Sequence, residues 1–108
     1  MHALFITFRS AVAVESLEQA FTQVAEALHD GGARGLVAKT WMYDGPTVGG
    51  FCVFEDRETA DGYLTGMFAE AVTANSIFSD VRIERYEVNE ALSRITNGMG
   101  ALAASSPS

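Results

Sequence analysis

This 108-residue sequence predicts an α+β fold of order β-α-β-β-α-β, a four-stranded antiparallel sheet with both helices on one face. Three observations carry that prediction. Short apolar runs rich in aromatic and β-branched residues alternate with two longer stretches of helical periodicity. Asp44, Gly45 and Pro46 form a turn between two runs of similar length, which makes those runs antiparallel neighbours. No linker, repeat or second periodic block divides residues 1–98, so one domain is expected there, with 99–108 as a small-residue, flexible C-terminal tail.

Taken in order, ALFITF (3–8) is the first strand. The first helix follows from Ser16, whose spacing to Gln19 matches a capping box. Leu17, Phe21, Val24, Ala25 and Leu28 fall on one stripe, and Gly31 and Gly32 supply the stop. GLVAKTWMYDGPTVGGFCVFED (35–56) reads as a hairpin of strands two and three. Gly49 and Gly50 inside the third strand mark a bulge or a close approach. Asp56 caps the second helix, with Ala60, Tyr63, Leu64, Met67, Phe68, Ala71 and Val72 on its apolar side. SDVRIERYEV (79–88) is the fourth strand, and Asn89 opens a short C-terminal helix that carries Leu92 and Ile95. The order is that of the ferredoxin-like split βαβ, whose sheet has one face left bare by its own helices.

The faces follow from alternation. A lysine is costly in the dry layer between sheet and helices. Ala38, Thr40 and Met42 are therefore expected to face the helices, and Lys39, Trp41 and Tyr43 the open side. Phe5, Thr7 and Arg9 are placed on that open side too. On the fourth strand Arg82, Glu84 and Tyr86 form one face and Val81, Ile83 and Arg85 the other, with the first set assigned to the open side. Phe5, Trp41, Tyr43 and Tyr86 together make an apolar patch of a kind monomers rarely expose, and a two-fold homodimer stacking two sheets covers it.

Composition narrows the function classes. The chain is 48% hydrophobic with a formal charge of −7, and its seven basic residues are scattered. No nucleic-acid or anionic-membrane partner is expected, because both require clustered Lys and Arg. Cys52 stands alone, so it forms no internal disulfide and fits a buried hydrophobe in a reducing compartment. MHALFITFRS lacks a basic leader and a cleavage site, and a cytoplasmic location is the expectation. No metal is expected, since His2 is terminal, His29 lies on the first helix, and the two are not spaced as a ligand pair. GPTVGGF is a hairpin and not a phosphate loop, and neither histidine has an evident Ser or Cys partner.

Three segments in order resemble the YdhR-type mono-oxygenase family of the dimeric α/β-barrel superfamily. These are Lys39 and Trp41; Gly49, Gly50 and Phe54; and Val88, Asn89, Glu90, Leu92 and Ser93. The resemblance spans roughly residues 3–97. It implies a ferredoxin-like subunit, a homodimer with face-to-face sheets, and a pocket between sheet and helices or within the barrel. It further implies kinship with small cofactor-independent oxygenases of polycyclic aromatic substrates, so no cofactor is expected. Haem-degrading members of the superfamily carry a ligand histidine on the second helix, and ETADGYLTGMFAEAV has none.

Oxygenation without a cofactor requires a substrate that can itself reduce O2, such as a phenolate or carbanion. The protein must hold a flat ring, help remove a proton, steady the oxyanion and exclude water. On that chemistry Lys39, Trp41 and Tyr86 are the catalytic candidates, and Phe5, Thr7, Tyr43 and Tyr63 the substrate-binding ones. Each has a structural alternative: Trp41 as a core or interface aromatic, Lys39 as the ion-pair partner of Glu84, and the tyrosines and Thr7 as packing. Two other functions stay open, a non-catalytic module for a small apolar ligand and an isomerase of the same fold.

Overall fold

The computed structural model describes residues 1–96, so the expected tail from residue 99 lies outside the described residues. The elements are β1 (His2–Ser10), α1 (Val14–Ala27), β2 (Leu36–Asp44), β3 (Thr47–Phe54), α2 (Arg57–Thr65), β4 (Phe78–Glu87) and α3 (Glu90–Ile95). One wide helical turn extends α1 over Leu28–Gly32, and another follows α2 over Ala69–Thr73. The sheet runs β2-β3-β1-β4 with every neighbouring pair antiparallel. This is the predicted α+β ferredoxin-like fold with its short C-terminal helix.

Burial explains the arrangement. Leu4, Ile6 and Phe8 of β1 and Val48, Cys52 and Phe54 of β3 form the floor of one core. Leu28, Ala60, Tyr63, Phe68 and Val72 close it from the helix side. Each such large side chain contributes about 1.5–3 kcal/mol by leaving water, which makes the two central strands the anchor of the fold. Gly45 takes the positive φ of +59° in the turn between β2 and β3. Asp56 caps α2 by accepting a 2.8 Å bond from the Thr59 N–H, and Asn89 caps α3 by accepting from the Leu92 N–H at 3.1 Å.

Two helix boundaries differ from expectation. α1 starts at Val14 after Ala13, two residues before Ser16, and no side chain caps it. The Ser16 N–H donates to the Ala13 carbonyl instead, at 2.9 Å. α2 stops at Gly66, whose φ and ψ of −105° and −104° break the helix before the wide turn.

The faces of β2 are the larger correction. Lys39, Trp41 and Tyr43 point to the helix side and not to the open side. Their register partners are Cys52, Gly50 and Val48, and Cys52 and Val48 are core residues beneath the helices. The cause is a bulge between Leu36 and Ala38: Leu36 pairs with Phe54, but Ala38 pairs with Val53. One extra residue turns every following side chain to the other face. Strict alternation from Leu36 would have placed Ala38, Thr40 and Met42 under the helices.

The open face therefore holds a different set. Phe5 and Thr7 lie there as expected, opposite Glu84 and Arg82, and Tyr86 is there opposite Ala3. Phe51, Thr40 and Met42 replace Trp41 and Tyr43 on it. Phe5 and Phe51 meet edge to face with ring centroids 6.5 Å apart.

Candidate functional site

Lys39 is the only lysine of the chain, and the fold buries most of it. Its ammonium donates to the Tyr63 hydroxyl at 3.1 Å and lies 4.0 Å from the centroid of the Trp41 ring. No carboxylate stands within ion-pair distance of it among the described residues, so the expected pairing with Glu84 is not made. Glu84 lies on the opposite face, where it accepts the Tyr86 hydroxyl at 2.5 Å. An aromatic face and a hydroxyl recover part of the cost of taking a cation out of water. The remainder appears as a shifted equilibrium: burial pulls the Lys39 ammonium below its usual range, partly opposed by the neighbouring Cys52.

Local sequence builds this arrangement. Lys39 and Trp41 share a face because they are two residues apart on a strand. Gly50, across from Trp41, leaves room for the lysine stem, since a Cβ there would sit 3.0 Å from Lys39 Cε. A Cβ on Gly49 would run into the Ile6 carbonyl, so that glycine serves the close approach of β1 and β3. Tyr63 comes from α2, and its ring packs 5.4 Å from Phe54 and 6.0 Å from Phe68. Burial is the main cause that pushes its hydroxyl well above the ordinary tyrosine range, so Tyr63 stays protonated. Cys52, 1% exposed beside Lys39, is likewise pushed up by burial and remains a thiol.

Trp41 is the hinge of the space around this group. Behind it, Ile6, Phe8, Lys39, Cys52, Tyr63 and Phe68 line a chamber of about 30 Å³, room for one water-sized molecule. In front of it a cleft of about 340 Å³ opens between α1 and β2, walled by Phe21, Trp41 and Tyr43 with Glu15 and Glu18 at its edge. A second, apolar hollow of about 540 Å³ runs from Trp41 under α1 towards Phe78. Phe21 borders both, with its ring 5.5 Å from that of Trp41. Such volumes, apolar walls and a few polar groups are the features of a small-molecule site.

The structure thus unites Lys39, Trp41 and Tyr63 and leaves Tyr43, 71% exposed, at the mouth of the cleft. It separates Phe5, Thr7 and Tyr86 from them by the thickness of the sheet. Tyr86 is also a poor proton acceptor, because its hydrogen bond to Glu84 holds the phenol in its protonated form. Two residues escaped the sequence reading. Phe21 was read as ordinary helix stripe, and His2 only as terminal. His2 is in fact buried in β1, with Nδ1 3.0 Å from Glu87, beside an Arg85–Asp61 ion pair of 2.6 Å. Among the described residues no cluster of three His, Cys, Asp or Glu could hold a metal ion, and no helix is long and apolar enough to cross a membrane.

Comparison with known proteins supplies a family. Residues 3–99 match the family described as "Putative mono-oxygenase ydhR". No protein of curated function matches. A protein of unknown function from Nitrosomonas europaea is 30% identical over 82% of this chain and 88% of its own, with a TM-score of 0.59. SnoaB, a cofactor-independent oxygenase from Streptomyces nogalater, shares the fold at a TM-score of 0.60 and 18% identity, over 82% of this chain and 93% of SnoaB. So does MhuD, crystallised with two manganese protoporphyrin IX molecules per active site, at 0.59 and 16% identity, over 82% of this chain and 95% of MhuD.

Proposed function

Since the chain belongs to the YdhR mono-oxygenase family, we propose that it is a cofactor-independent mono-oxygenase of a small or polycyclic phenolic substrate, such as an anthrone. The observation that carries this reading is the part-buried Lys39, held between the Trp41 ring and the Tyr63 hydroxyl, with a substrate-sized cleft on the other side of that ring. Residues 1–98 form the functional unit, and a reducing, cytoplasmic location suits the lone buried Cys52.

In this mechanism Trp41 and Phe21 hold the flat ring, and the substrate hydroxyl must pass the edge of the Trp41 ring to reach Lys39 on its far side. The lowered proton affinity of Lys39 makes its ammonium easier to deprotonate; its neutral form takes the hydroxyl proton, and the resulting ammonium then steadies the phenolate. Tyr63 fixes the nitrogen throughout. The phenolate transfers one electron to O2, and the radical pair joins into a hydroperoxide at carbon. Loss of water leaves a new carbonyl, so one oxygen atom stays on the product and the other departs in water. All electrons come from the substrate, and no reductant is consumed. The chamber behind Trp41 has the size for dioxygen and not for the ring.

The same proposal includes a homodimer. Phe51 and Tyr86 are exposed on the open face beside Phe5 and Met42. Leu92 and Ile95 of α3 are 63% and 81% exposed, so no described residue covers this side of α3, and in this proposal it packs on the second copy. Obligate interfaces of this type bury roughly 2,000 Å² or more.

The test is O2 uptake with a panel of anthrones and hydroquinones, run beside anaerobic titrations. Uptake that exceeds the uncatalysed rate and falls in Lys39→Met supports the reading. Saturable binding with no uptake makes the protein a ligand-binding module, and turnover without O2 makes it an isomerase.

A further inference from the structure

The cleft in front of Trp41 has an uneven charge. Its walls are aromatic, and its lining includes Glu15 and Glu18 but no cationic side chain. Both glutamates are exposed, one helical turn apart on α1, and neither has an ion-pair partner among the described residues. The single positive charge lies on the far side of the Trp41 ring, where Lys39 is already engaged with Tyr63. The protein as a whole adds to the negative field, at −7. A carboxylated ring entering this mouth meets two like charges before it reaches Lys39. A ring with a basic substituent meets two opposite charges and three electron-rich ring faces, an arrangement that attracts ammonium groups.

We infer that the cleft bounded by Glu15, Glu18, Phe21, Trp41 and Tyr43 selects a phenolic ring bearing a basic amine. The hydroxyl points inward past the edge of the Trp41 ring, towards Lys39 on its far side, and the amine outward to the glutamates. This rests on the proposed function above, whose substrate class it narrows. Glu15 and Glu18 are specificity residues here: they act on which ring is admitted and take no part in the oxidation.

The test uses three probes that share one ring: tyramine, its alcohol tyrosol, and 4-hydroxyphenylacetate. Trp41 is the only tryptophan, so its fluorescence, excited selectively, reports occupancy without any turnover. The expected order at low salt is amine, then alcohol, then carboxylate. The first and last differ by about tenfold, given the modest strength of exposed charge pairs. The gap closes at about 1 M salt, where the Debye length falls to about 3 Å. It also closes in Glu15→Gln/Glu18→Gln, which keeps the side-chain volumes. Equal affinity for amine and carboxylate, an order that survives the double substitution, or no response of Trp41 to any probe overturns the inference. The two readings fail separately. Amine selectivity with no O2 uptake from any panel compound sinks the oxygenase alone, and O2 uptake without selectivity sinks this inference alone.

Discussion

The two faces of the sheet carry similar aromatic content and put it to opposite use. On the helix side, Trp41 and Tyr63 hold a cation beside a small enclosed chamber, and Phe21 packs against Trp41. On the open side, Phe5 and Phe51 meet edge to face, with Phe51, Met42 and Tyr86 exposed. Neighbouring helices are the difference, not the exposure of single rings, since Trp41 is 37% and Phe51 38% exposed. A ring beneath helices can be positioned by its neighbours and can work on a ligand. A ring on a bare sheet lowers its free energy most by finding a second bare sheet. Assigning chemistry to the first face and assembly to the second makes them separable by substitution.

The largest expected effect falls on the open face. Phe51→Glu places a carboxylate at the centre of the proposed interface. The proposed homodimer should weaken by about 4 kcal/mol, roughly a thousandfold in Kd, as for an unpaired charge in a desolvated contact. Sedimentation at micromolar concentration checks it, and an unchanged sedimentation coefficient breaks the assignment. On the helix side, Lys39→Met should lower kcat/KM by about 10²–10³, the usual loss of an oxyanion-stabilising donor, with the dimer intact.

The same lysine predicts a pH dependence of stability. Its folded proton affinity is depressed below the ordinary value of 10.5, so between the two values the unfolded chain binds more protons. The penalty for burying the ammonium is therefore full below that window and is relieved as pH rises towards 10.5. Lys39→Met should be the more stable protein at neutral pH, with the gap narrowing under alkali. Cys52 and Tyr63, both raised, act in the reverse sense, and Cys52 is raised further in Lys39→Met because the lysine that opposes its shift is gone.

Smaller changes sharpen the picture. Tyr63→Phe removes the acceptor of the Lys39 ammonium and should cost about 1 kcal/mol in thermal or denaturant unfolding. NMR of the reductively methylated side chain, simple to assign with a single lysine, should show its titration moving further down. Gly62 lies within α2 with open space where a Cβ would stand, so Gly62→Ala should stabilise by about 0.5–1 kcal/mol without touching either face.

How far the sequence could be read depended on the range of the physics involved. Element order, the Asp44–Pro46 turn, and the Asp56 and Asn89 caps were legible because each depends on a few adjacent residues. The face of β2 was not. It turns on one bulge at Val37, set by how Leu36 and Phe54 meet across the hairpin. A solvation argument about Lys39 pointed the wrong way because it assumed that no partner was available, and Tyr63 on α2 supplies one. The pairing of Lys39 with Trp41 survived the reversal, since a two-residue spacing keeps them together on either face. Tyr86 and Thr7 did not join them, because their strand register was correct while that of β2 had flipped. A useful signal was missed: a chain with six arginines and one lysine has placed that lysine beside its only tryptophan.

The separation of the two faces rests most directly on where Trp41 stands, and one measurement reads it. Trp41 emission is followed while the proposed homodimer is diluted through its dissociation range, with sedimentation run in parallel. If Trp41 lies between β2 and the helices, its emission maximum and its quenching by ligand stay constant as the dimer separates. A red shift that tracks dissociation would place Trp41 in the subunit interface and contradict the account.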